Sequence, residues 1–180
     1  TPIARRLEAG DVDPGTYRHL HGQLLHVHRA VEEALEEQRA SLGNLLHEED
    51  LRAGYLRDDL EALGALPPDP PAEPARSVRS RLEPPRPDRA YLMGVLYVVK
   101  GARFGGKVLA EAVARALGVP VEPGGGLDYY LAGQDELPGQ WRAFLRELDG
   151  AELTGEEEHA VRAGARFLME QHLALYESYD

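Results

Sequence analysis

From Tyr97 to Leu109 the chain runs Tyr97-Val98-Val99-Lys100-Gly101-Ala102-Arg103-Phe104-Gly105-Gly106-Lys107-Val108-Leu109. The surrounding periodicity predicts one long helix from about Asp88 to Leu117. Three glycines in its interior each cost about 1 kcal/mol of helix stability relative to alanine. A helix carries such a cost where something approaches its backbone more closely than a Cβ permits. Gly101 and Gly105 stand four apart, so in an unbroken helix they share a face and form a smooth groove one turn long. The groove has two physical uses. It admits a second helix at close range, or it admits a flat ligand that lies against the helix and bends it.

At 180 residues the chain is long enough for one domain with a sizeable core. A net charge of −11 and a pI near 5.1 argue against non-specific binding to nucleic acid or to an anionic membrane. There is no cysteine, which excludes disulfides, thiolate metal sites and a cysteine nucleophile. No apolar run reaches the length of a membrane span and no signal-peptide pattern is visible, so the expected location is cytoplasmic. The chain opens at Thr1 without an initiator methionine, which leaves room for residues upstream.

In chain order, Leu7 to Gly10 closes a short helix, with Gly10 as its C-cap. Asp13-Pro14 supplies N-cap and first position of the next. Tyr17, Leu20, Leu24, Val27, Val31 and Leu35 then mark an amphipathic helix of about six turns. His19, His21, His26 and His28 ride on it. The pairs 19/26 and 21/28 are two turns, or about 10.5 Å, apart, so no single ion is shared between partners. Hydrogen-bonding histidine is the expected role, with His26 the candidate for a pocket wall. A helix is expected over Leu46 to Leu63, with His47-Glu48-Glu49-Asp50 as a solvated charged turn and Gly64 as its end. Pro67 to Asp88 is proline-dense, but Ala75 to Leu82 has room for a short helix, and the stretch reads as an ordered connection within one domain. Beyond the glycine helix come the connector Gly124-Gly125-Gly126 and the aromatic Leu127-Asp128-Tyr129-Tyr130. A helix then spans Leu137 to Leu148, bearing Trp141, Phe144, Arg142 and Arg146. Thr154 and Glu157 form a capping box that opens the last helix. No strand pair with hairpin chemistry, no Rossmann or Walker pattern and no nucleophile–His–carboxylate set can be picked out. The reading is an all-α single domain, 1–180, of six to eight helices.

The pattern Tyr97-Val98-x-x-Gly101-x-x-x-Gly105-Gly106-x-Val108-Leu109 resembles the distal-helix motif of heme oxygenases, particularly the bacterial biliverdin-producing branch. The resemblance extends more weakly along nearly the whole chain, through His26, Leu51 to Gly64, Trp141 to Leu148 and the last, Phe167-bearing helix. It implies a heme-oxygenase-like bundle in which a glycine-bent distal helix crosses the heme face. The implied activity is oxidative opening of heme, both cofactor and substrate, to biliverdin, with release of iron and carbon monoxide. O2 and an external electron donor such as a reductase or ferredoxin are implied as well, and a biliverdin-using phytochrome is a possible recipient.

Under that resemblance Gly101 and Gly105 are the catalytic backbone positions. Tyr97, Gly101, Ala102, Gly105, Gly106, Arg142, Arg146 and Phe167 bind heme, the two arginines pairing with its propionates. Three departures from the motif stand out. Ala102 occupies a place that often carries Ser or Asp, and Lys100 reverses the charge of the usual Glu. The family's proximal His lies in an N-terminal His-x-x-Leu-Glu helix, for which no match is present, so it is expected before Thr1. Two rivals remain open: a non-catalytic heme-oxygenase-fold binding or interaction module, and a helical bundle whose glycines serve only packing.

Overall fold

The computed structural model describes residues 1–179. Its elements are α1 (Pro2–Ala9), α2 (Pro14–Glu37), α3 (Arg39–Leu42), α4 (Ala53–Ala62), α5 (Glu73–Leu82), α6 (Arg89–Gly101), α7 (Gly106–Leu117), α8 (Asp128–Leu131), α9 (Leu137–Asp149) and α10 (Gly155–Glu177). Short 3-10 turns lie at 43–45 and 48–50, and no strand occurs among the described residues. The helix ends follow local chemistry. Asp13 accepts the Thr16 amide at 2.9 Å to start α2, and Asp88 accepts the Tyr91 amide at 2.9 Å to start α6. The Thr154–Glu157 capping box opens α10 as the sequence predicts. Gly10 ends α1 in the left-handed region, φ +70°.

Two expected helices are shorter than their periodicity suggests. The stretch from Leu46 to Leu63 is helical only from Ala53 on. Asp50, expected in a solvated turn, is buried, because it neutralises two buried cations described below. The long helix from Asp88 to Leu117 is two helices. The chain leaves α6 through a turn at 102–105 whose amides bond three residues back, Phe104 to Gly101 at 3.2 Å and Gly106 to Arg103 at 3.2 Å. Gly105 sits at φ +85°, a left-handed conformation that stops the helical run and strains any L side chain.

Close helix packing is done by other glycines. The most extensive helix contact is α6 on α10. There a Cβ on Gly94 would overlap the Val161 carbonyl oxygen, and one on Gly164 would overlap the Tyr91 carbonyl oxygen. A Cβ on Gly106 would stand 2.5 Å from the Tyr130 carbonyl oxygen. Gly101 and Gly105 have no backbone against them. Only the Trp141 ring edge, at 3.7 Å, faces the first, and nothing lies within 4 Å of the second.

This contrast is testable. Gly94→Ala forces two backbones apart and should cost about 3 kcal/mol in urea unfolding, at the upper end of overpacking effects. Gly101→Ala meets only an ordinary contact and should be neutral within about 0.5 kcal/mol.

Candidate heme site

The turn between α6 and α7 is held from behind by buried charge. Lys100 Nζ lies 2.5 Å from Asp50 Oδ2, and Arg103 Nη1 lies 3.6 Å from Asp50 Oδ1. Arg103 also donates to Gln140 Oε1 at 3.2 Å and to the Gly133 carbonyl at 3.3 Å, while Gln134 Nε2 donates to the Arg103 carbonyl at 3.1 Å. All three charged side chains are nearly inaccessible. Burial pushes the Lys100 ammonium down from its ordinary pKa, with Asp50 pulling the other way. Lys100, which looks like a charge reversal in the sequence, therefore has its counter-ion in Asp50.

On the outer side, aromatic rings gather around the turn. Trp141 of α9 packs against Tyr97 at 5.1 Å between centroids, Phe104 at 5.7 Å and Phe144 at 5.7 Å. Tyr97, Phe104 and Val108 are all exposed, as is Ala102. Arg142 and Arg146 are exposed on the same helix as Trp141, and no ion pair holds either among the described residues. Phe167 lies elsewhere on α10, 6.4 Å from the Tyr91 ring. The structure thus gathers Tyr97, Gly101 and Gly105 at one turn, turns Gly106 into a packing contact, and leaves Phe167 apart.

A second feature escaped the sequence. α1 packs between α7 and α10, with Gly10 against the Ala112 carbonyl. Ile3 and Leu7 are buried, and Ala4 instead borders an open cavity of about 330 Å³ shared with Thr1, Met169, His172, Leu173 and Tyr176. Its walls are almost wholly apolar.

Four of the other histidines, His19, His21, His26 and His28, are engaged elsewhere. His21 Nε2 is hydrogen-bonded to Tyr17 Oη at 2.8 Å, and His28 Nε2 to Tyr129 Oη at 3.1 Å, both inside the core. His26 Nε2 meets the Asp69 carbonyl at 2.8 Å, so the proline-rich connection holds it. His19 Nδ1 meets Tyr179 Oη at 2.7 Å. Burial pushes His21 down to about 3 and His172 down to about 4, and lowers His28 as well. Asp59, whose carboxylate accepts the Asp128 and Tyr129 amides, is pushed up by burial to about 6.

The architecture is an all-α single-domain bundle with a glycine turn between α6 and α7, and comparison with known proteins gives its family. The chain belongs to the heme oxygenase family, whose model matches residues 1–173. It is 28% identical to the heme oxygenase of Xanthomonas campestris pv. campestris (strain 8004) over 152 residues, 82% of this chain and 80% of that one. In fold it matches heme oxygenase from Leptospira interrogans at a TM-score of 0.84 and 21% identity, covering 99% of this chain and 90% of that one. It also matches heme oxygenase-1 from Synechocystis sp. PCC6803 in complex with heme at 0.82 and 16% identity, covering 99% and 83%. No described helix is long and apolar enough to cross a membrane.

The turn fits one face of a heme: the Gly105 backbone is bare, and the aromatic edges of Trp141 and Phe104 lie beside it.

Two measurements check this electrostatic picture. Asp50→Asn strands buried Lys100 and Arg103 and should cost about 3–5 kcal/mol, whereas replacing Asp50 and Lys100 together by apolar residues should recover part of that loss. Between about pH 6.5 and 4 the unfolded chain binds protons on His21, His28 and His172 that the folded chain refuses, so these groups remove stability as pH falls. Asp59 acts in the opposite sense between its unfolded value near 3.8 and about 6, because the folded form holds its proton more tightly. Glu32, also raised by burial, acts in the same sense as Asp59; three histidines outweigh these two carboxyls, so the melting temperature should fall from pH 7 to pH 5.

Proposed function

We propose that this chain is a heme oxygenase, binding heme and opening the ring oxidatively to biliverdin with release of iron and carbon monoxide. The observation that carries the reading is the bare turn. In a chain of this family Gly105 leaves its backbone open where helix packing has no use for it, while the packing glycines lie elsewhere. When bound, heme supplies the redox-active iron and is itself the substrate.

The chain's own residues bind and orient. The Gly105 backbone forms a wall without side chains, and Gly101 carries none of its own beneath the Trp141 ring, so small ligands are not displaced from the open end of the turn. Trp141, Tyr97 and Phe104 supply apolar edge contacts that exclude water. Arg142 and Arg146, exposed and free of ion pairs, are placed to take the propionates. The buried Asp50–Lys100–Arg103 cluster fixes the turn. With Ala at 102, a proton reaching the site comes through water held by backbone groups.

The second reading, a non-catalytic heme-oxygenase-fold binding or interaction module, is favoured by Trp141 over Gly101. One experiment separates the two. Full-length protein given hemin, O2 and an electron donor should show a Soret band that decays as biliverdin absorbance and carbon monoxide appear. A stable Soret band without biliverdin selects the module, and no Soret change removes both. Arg142→Gln with Arg146→Gln should weaken hemin binding several-fold and change the mixture of biliverdin isomers, read by chromatography.

A further inference from the structure

We propose that Lys100, buried behind the glycine turn, makes the open face of that turn favour small anions over neutral molecules as ligands of heme iron. The proposal rests on the heme-binding reading above and adds which class of iron ligand the chain selects.

The pairing behind the turn is uneven. Lys100 Nζ and Arg103 Nη1 share the one carboxylate of Asp50, at 2.5 and 3.6 Å. The His47 amide also donates to Asp50 Oδ2, at 2.9 Å, and brings no charge. Arg103 spends its other hydrogen bonds on neutral groups, Gln140 Oε1 and the Gly133 carbonyl. Two buried cations on one buried carboxylate leave one positive charge over. The neighbouring charges do not cancel it. Glu49 acts on Lys100 from an exposed position where water screens it, and Arg39, at the surface, opposes Glu49 in sign. Arg52, which acts on Arg103, is itself faced by Glu32 and Asp59.

The surplus is coupled to the outer side through aromatic rings. Lys100 Nζ lies 5.1 Å from the centre of the Phe144 ring, a placement that favours the charged ammonium. Phe144 packs in turn on Trp141 at 5.7 Å and on Tyr97 at 6.5 Å. Such rings screen a charge far less than water does. On the outer side Gly105 carries no side chain, and nothing stands within 4 Å of where its Cβ would be. Ala102 and Phe104, which flank Arg103 in the chain, are apolar and exposed. A small ligand there meets bare backbone with a positive charge behind it. An anion gains from that charge, and a neutral ligand does not. Lys100, which departs from the glutamate of the motif it resembles, thereby acts on the ligand through the field it sets up and not by contact.

The test is ligand exchange on the ferric heme complex of the full chain. Azide and fluoride are the anionic probes and imidazole the neutral one, each affinity being read from the Soret shift. Lys100→Met and Lys100→Gln leave Asp50 with Arg103 and the His47 amide. Both should lower azide and fluoride affinity relative to imidazole by about tenfold. Lys100→Arg keeps the charge and should hold the wild-type ratio. Lys107→Met removes an exposed cation near the same turn and should change the ratio by less than about twofold, because water already screens it. Circular dichroism and hemin titration establish that each variant is folded and loaded. The proposal fails, with heme binding intact, if the neutral variants keep the wild-type ratio or lose azide and imidazole affinity alike. It fails equally if Lys100→Arg falls with them, or if hemin-loaded wild type takes neither anion. If wild type binds no hemin, the heme-binding reading falls and this proposal with it.

Discussion

The backbone contact between α6 and α10 at Gly94 and Gly164 governs the rest of the bundle. A carbonyl oxygen of each helix rests where the other's Cβ would be, so the two axes lie as close as helices can. That contact fixes the register of α10, and with it which of its residues look towards α1. One turn past Gly164, Leu168 is buried in the core. One turn further, His172 reaches the cavity beside Ala4. The same contact anchors α6, so that its C-terminal end at Gly101 is delivered to a fixed place.

What happens beyond that end is decided by charge. A helix running on through residue 105 would satisfy its own amides, yet the chain turns and buries Lys100 and Arg103 on the inner side of the turn. Two buried cations are costly unless paired, and Asp50, brought in by the 48–50 turn, is the pair. Arg103 is further held by the Gly133 carbonyl and Gln140, tying the α8–α9 connection to the same point. The aromatic group on the outer side then falls into place, because Trp141 lies one residue beyond Gln140.

Much of this could be read from the sequence, because local signals wrote it. Asp13, Asp88 and the Thr154–Glu157 box start helices through their own side chains, and Gly10 ends one through its backbone. The all-α class and the family follow from such signals together with the glycine spacing. What could not be read depends on partners distant in sequence. Gly94 looks like an ordinary residue in an apolar helix until Val161 is beside it. Asp50 looks solvated among acidic neighbours until Lys100, 50 residues away, is found against it. The turn at 102–105 hides inside a sound helical period, since Gly105 supports either a helix interior or a left-handed stop, and tertiary anchoring makes the choice.

Ala4 and His172 line one cavity for a geometric reason. Ile3 and Leu7 lie one turn apart and carry α1 into the core, and Gly10 closes its far end on Ala112. Ala4 is rotated about 100° from Ile3, so it cannot share their burial and faces α10 instead. A longer side chain there would enter the space that His172, Met169 and Tyr176 enclose.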